Sequence, residues 1–298
     1  MATNRRAAAF DRFLARCWND HAGRAEAVAR RLRLRTPPPQ QPEQLAALIR
    51  FVVHLLAEHL GRFDDARWRL DALRRHPLAA SGVVRSSLRV GIATLDLCEG
   101  RVDALATLQG AEAAHAQAGA ASACLARGQL PRALALVDGA AARLAALPDA
   151  SPDDHRPLAA VCNNMAWELH GRGDRRGPDE TDAMLRMAAA SREHWSRAGT
   201  WLHIERAEYC LARTHLAAGL HDDAWRHAAQ CLAVCLRHQA PPFERFYAHE
   251  AMARVHHARR EAAELAHHAQ AMREVHAAMT AEDQAACREE LDAVVALQ

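Results

Sequence analysis

The stretch from Thr200 to Leu236, TWLHIERAEYCLARTHLAAGLHDDAWRHAAQCLAVCL, constrains the fold more than any other part of the chain. Leu211 and Ala212 share a helical face, Gly219 ends that helix, and Ala224, Ala228 and Cys231 follow five, nine and twelve residues after the glycine. Two helices approach closely only where the facing side chains are small, and a glycine supplies the left-handed residue that stops the first of them. The stretch therefore encodes a helical hairpin.

Looser copies run along the rest of the chain. Phe10, Phe13, Leu14, Cys17 and Trp18 make an apolar stripe at helical spacing, and Gly23 separates it from Val28 and Leu32, so residues 1–35 are expected to form an N-terminal hairpin. Thr36 to Pro42, TPPPQQP, cannot continue a helix, because proline lacks the amide donor and clashes with the preceding turn. Residues 43–278 are expected to form an array of further hairpins. The second turns at Gly61, carries Ala66, Leu70 and Leu73, and closes at Pro77. The third pairs Gly82 to Leu97 with Val102 to Ala116 around Gly100, and the fourth pairs a helix near Ala113 to Ala126 with one carrying Ala133, Val137 and Ala140.

Pro148 to Pro157 is expected to be a polar turn whose Asp and Ser residues cap the next helix. In the fifth pair the turn falls at Gly173, and an insertion over 174–180 delays the second helix. Arg260 stands where a glycine would end the first helix of the seventh pair. Thr280 and Asp283 have the spacing of a capping box and open a helix over 280–298, whose Leu291, Val294 and Val295 share one apolar face.

With Leu211, Ala212, Gly219, Ala224, Ala228 and Cys231 as its clearest instance, this pattern resembles the tetratricopeptide repeat. Asn163, Asn164, Met165 and Ala166 resemble the middle of that repeat's first helix. The resemblance implies an all-α fold without strands: a right-handed α-solenoid of about seven stacked antiparallel hairpins plus a C-terminal capping helix, one domain over residues 1–298. It also implies that the first helices of successive hairpins line a concave groove.

Composition narrows the function classes. A formal charge of +2 is nearly balanced, so no chain-wide field argues for nucleic acid or an anionic membrane, and only Arg30, Arg31, Arg33 and Arg35 form a basic run. All 38 basic residues are arginine, which with scarce Ile, Asn and Tyr points to a high-GC bacterial genome. No apolar segment approaches the roughly 18 residues that span a bilayer, and the N-terminus lacks an apolar signal core, so a cytoplasmic location is expected. The eight cysteines fall mostly on apolar faces and read as reduced core residues.

Catalytic motifs are absent: GRGDRRG lacks a preceding strand and any lysine, and Ala253 occupies the place of the second ligand in a zinc-protease helix begun by His249 and Glu250. No catalytic residue, cofactor or resident metal is therefore expected. Histidines are nevertheless abundant at 19, with His249, His256, His257, His267, His268 and His276 near the C-terminus and His227, Cys231, Cys235 and His238 on one stripe. A histidine-based metal protein is the alternative these leave open.

The groove gives the functional expectation. Its inward positions are Asn163, Trp167 and His170 in the fifth hairpin, Arg206, Tyr209 and Arg213 in the sixth, and Tyr247, Glu250, Arg254 and His257 in the seventh. Trp, Tyr and Arg carry much of the energy at protein interfaces. Arg206 and Arg213 project from one side of a helix about 10 Å apart, the spacing to hold two acidic groups of an extended segment. The expected function is a non-enzymatic scaffold for a protein or an acidic or C-terminal peptide. Reversing both arginines is expected to weaken binding without unfolding, and an enzyme or accessory holding a small acidic ligand in the groove is the competing reading. Trp68, Trp195, Trp201 and Trp225 are expected to pack between hairpins.

Overall fold

The computed structural model describes residues 2–298, with side chains from residue 5 onward. The described residues are helical and contain no strand, as the hairpin spacing demands. The chain divides into two compact units, Met1–Ala150 and Ser151–Gln298.

The first unit holds α1 (Ala2–Arg35), α2 (Pro42–Val53), α3 (Phe63–Arg74), α4 (Gly82–Cys98), α5 (Glu112–Leu125) and α6 (Leu130–Ala145). Helix α1 breaks at Arg24, whose φ of −142° and ψ of 39° leave the helical region, so the reversal expected at Gly23 comes one residue later. Past the break the chain folds back far enough for Arg31 Nη1 to reach Asp20 at 2.7 Å. Phe10, Leu14, Cys17, Val28 and Leu32 then join Leu45, Ile49 and Phe51 in one core.

Helix α2 runs on into a π-helical turn over His54–His59, which an α-helical period does not anticipate. The third expected pair loses its second helix. Val102–Thr107 is a short 3-10 turn without a buried residue, and Gly110, at a φ of +53°, stops any helix from continuing into α5. Six residues that bury nothing are too few to sustain an α-helix, since helix formation has a costly nucleus and most helical stability comes from packing. Helix α5 sits at the centre of the unit instead, with alanines buried on every side, a pattern that fits a helix surrounded by neighbours.

The second unit follows the hairpin reading closely. Its helices are α7 (Pro152–His170), α8 (Pro178–Ala198), α9 (Trp201–Ala217), α10 (His221–Arg237), α11 (Pro242–Ala258), α12 (Ala262–Ala277) and α13 (Ala281–Val295). Each first helix packs on its own partner, and α7 touches α9, α9 touches α11, and α11 touches α13. The chain reverses between α9 and α10 with Gly219 at a φ of +75°, where a side chain would be strained. Arg260 adopts the same left-handed conformation at 62° between α11 and α12, so the turn keeps its geometry without glycine.

Ser151 and Asp154 form a capping box, and the Asp283 amide donates to Thr280 Oγ1 at 3.2 Å. The polar turn expected over Pro148 to Pro157 is shorter than that: α7 already begins at Pro152, and His155 lies buried in it. Proline is tolerated in a first turn because the amides there have no helical partner.

Ala224 and Ala228 are wholly buried against Ala212, Ala251 and Val255. Ala224→Trp is accordingly expected to overpack this contact and destabilise the chain by about 1–3 kcal/mol or more. A urea midpoint equal to that of the wild type would contradict the packing described.

Candidate functional site

Three helices of the second unit bring most of the expected groove residues together. Trp167 and His170 come from α7, Arg206, Tyr209 and Arg213 from α9, and Tyr247, Glu250 and Arg254 from α11. Their rings form a row: Trp167 lies 5.8 Å from Tyr209, and Tyr209 lies 5.6 Å from Tyr247 at a steep interplanar angle of 72°. His170 packs edge-on to Trp167 at 5.2 Å. All four residues are half-buried.

Behind the rings stands a charged network built on Glu250, which is 0% exposed. Its Oε2 accepts from the Tyr209 hydroxyl at 3.1 Å, and its Oε1 accepts from Arg213 Nη1 at 2.9 Å and from Arg254 Nε. Arg213 Nη1 also donates to the Tyr209 hydroxyl at 2.8 Å. One carboxylate thus serves two guanidinium groups, which leaves the cluster with a positive surplus. His170 registers the same field: burial first, then Arg213 and Arg176, push its imidazole down to about 4.

The arginine pair is not free as the sequence suggested. Arg206 reaches across to Glu244 at 2.6 Å, and Arg213 is held by Glu250, so each of the two already grips an acidic group, but one of this chain. Carboxylates 37 and 38 positions further along, on α11, cannot be seen from the spacing of α9 alone. The double reversal expected to spare the fold would place a glutamate beside the buried Glu250, so that expectation is corrected: Arg213 belongs to the framework. Asn163 lies half-buried one turn before Trp167, its amide toward Asn164 at 3.4 Å, and His257 is exposed at the end of α11.

The insertion over 174–180 has a structural use. Arg176 donates to the carbonyls of Leu169 and His170 at 3.2 Å and of Ala217 at 3.0 Å, satisfying the open ends of α7 and α9. The stripe of His227, Cys231, Cys235 and His238 disperses rather than converging. His227 pairs with Glu208 at 2.7 Å, the Cys231 thiol donates to Glu205 at 3.1 Å, and His238 stacks on Trp201 at 5.1 Å. None of the eight cysteines is in a disulfide, and seven of them are buried. Trp195 stacks on His203, Trp225 is 39% exposed and meets Arg259 of the next hairpin, which lies over its ring, and Trp68 is 66% exposed.

Near the C-terminus His249 and His268 meet at 2.9 Å, His268 stacks on His256, and His256 pairs with Glu261 at 2.5 Å. Among the described residues, however, the set with three ligand atoms within 4.8 Å of one another is in the first unit: His21, His54 and His59. The α-helical period gives no sign of it, because no α-helical face joins residues five apart. In the same unit Arg30 and Arg33 of the basic run line a cavity of about 460 Å³ beside Trp68 and Arg69, while Arg31 turns to Asp20.

The fold and this site define an all-helical protein of packed hairpins, a form compatible with a helical repeat. No family model, no curated protein and no solved structure matches the chain. Among the described residues no helix is long and apolar enough to cross a membrane.

Proposed function

We propose that the second unit is a peptide-binding scaffold of the tetratricopeptide kind, a right-handed stack whose α7, α9 and α11 line the binding face. Its ligand would be an acidic or C-terminal segment of a partner protein. The observation that carries this reading is the half-buried row Trp167, Tyr209 and Tyr247 laid over a network with more guanidinium than carboxylate. The rings offer rigid contact area at small entropic cost, and the positive surplus attracts carboxylates. Arg254 is the cation best placed to be shared, since Arg213 and Tyr209 continue to satisfy Glu250 when it turns outward.

The test is fluorescence anisotropy of labelled extended peptides, one glutamate-rich with a free C-terminus and one lysine-rich, at two salt concentrations. The acidic peptide is expected to bind more tightly and to weaken as salt rises. Trp167→Ala should reduce its affinity by about tenfold or more, as for a central aromatic contact, and Arg254→Gln should flatten the salt dependence. Equal binding of both peptides, or unchanged affinity in the folded Trp167→Ala protein, would refute the reading.

A further inference from the structure

Two departures from α-helical geometry bring three histidines of the first unit together. His21 lies three residues before the break in α1 at Arg24, and His54 and His59 open and close the π-helical turn after α2. On an α-helix residues five apart point about 140° away from each other. The i to i+5 bonding of a π turn instead stacks them, and such turns recur at functional sites. His54 Nε2 accordingly stands 3.0 Å from His21 Nε2 and 3.1 Å from His59 Nε2.

The outer nitrogens decide what those inner atoms are. His21 Nδ1 faces the Trp18 carbonyl oxygen at 2.5 Å, and a carbonyl only accepts, so that nitrogen carries the hydrogen. His54 Nδ1 faces the Glu58 carboxylate at 2.9 Å and donates for the same reason. In the neutral rings both Nε2 atoms are therefore bare lone pairs aimed at each other. Two acceptors at that separation repel unless an electron-deficient centre satisfies both.

We propose that His21, His54 and His59 form a three-histidine site for a divalent transition metal of borderline softness, zinc in the first instance. Tetrahedral zinc with bonds of about 2.0–2.1 Å to nitrogen sets neighbouring ligand atoms about 3.3 Å apart. The observed 3.0 and 3.1 Å need adjust by only a few tenths of an ångström. Glu58 stands behind His54 as the carboxylate that orients a metal-bound imidazole and raises its basicity. Trp18 stacks on the His54 ring at 4.9 Å and meets Phe51 at 4.7 Å, which fixes that ring from a third side. His59 is exposed, so the fourth position opens to water, as in zinc sites with three protein ligands. This departs from the expectation of a metal-free protein and does not rest on the peptide-binding reading.

The test uses the full chain made without an affinity tag, stripped with a chelator, and then titrated with zinc alone by calorimetry and with cobalt alone by absorption. One zinc per chain is expected, together with the visible bands of a tetrahedral cobalt site. His21→Ala and His59→Ala should each weaken zinc binding by about tenfold or more, and Glu58→Gln by about 10–100-fold. His249→Ala/His268→Ala should leave it unchanged. Circular dichroism checks the fold of each variant, and His59→Gln at the exposed position serves if His21→Ala unfolds. No uptake by the folded wild type overturns the proposal and points to a proton shared between the rings. Uptake that survives loss of His21 and His59, or that vanishes with the C-terminal pair, overturns it as well.

Discussion

Glu250→Leu is expected to lower the stability of the protein by about 3–5 kcal/mol, read as a shift of the urea midpoint followed by circular dichroism. The carboxylate is wholly buried and receives Tyr209, Arg213 and Arg254. Removing it strands two guanidinium groups, of which Arg213 has 18% of its side chain exposed and little water to turn to. An unpaired buried charge costs far more than the pair contributes, because desolvation is no longer offset. Glu250→Gln should cost less, since an amide oxygen still accepts one donor. Arg213→Met/Glu250→Leu should recover part of the loss by removing both charges. A loss below about 1 kcal/mol in Glu250→Leu would show that the network does not hold α9 to α11.

Glu205→Gln is expected to stabilise the protein at pH 8 and to leave it almost unchanged near pH 4.5. Glu205 is 1% exposed, its Oε1 accepts from the Cys231 thiol, and its Oε2 is buried without a partner. Burial foremost, helped by the nearby Glu244 charge, raises its carboxyl to about 7, against the opposing hydrogen bond from Cys231. Between the ordinary carboxylate range and that value the folded chain binds a proton that the unfolded chain has released. Stability therefore falls as pH rises from about 4.5 to about 7 and is level above. The total is on the order of 3 kcal/mol, since each pKa unit corresponds to about 1.4 kcal/mol. Chemical denaturation of wild type and variant across that range measures the difference, and parallel stability curves would refute the assignment.

The residues that bear on these predictions divide by how far apart in sequence their causes lie. Gly219 and the alanines after it placed α9 and α10, and Thr280 placed the start of α13, because turns and caps are closed by residues within a few positions of one another. The resemblance to a stacked repeat put Trp167, Tyr209 and Tyr247 on successive first helices, and the packing of α7, α9 and α11 brings their rings together. The helix expected from Val102 did not form, because Val102–Thr107 buries no residue while α5 packs against α4 and α6. The pairing of Arg206 with Glu244 and of Arg213 with Glu250 joins residues about a hairpin apart, and which carboxylate an arginine finds depends on the turn between them. The convergence of His21, His54 and His59 needed both the break at Arg24 and the π turn. The sequence by itself determined the helices, their caps and most of their turns, since those energies are local. Only the tertiary structure decided which charges neutralise one another and which imidazoles meet, since those energies depend on distances that helix packing sets.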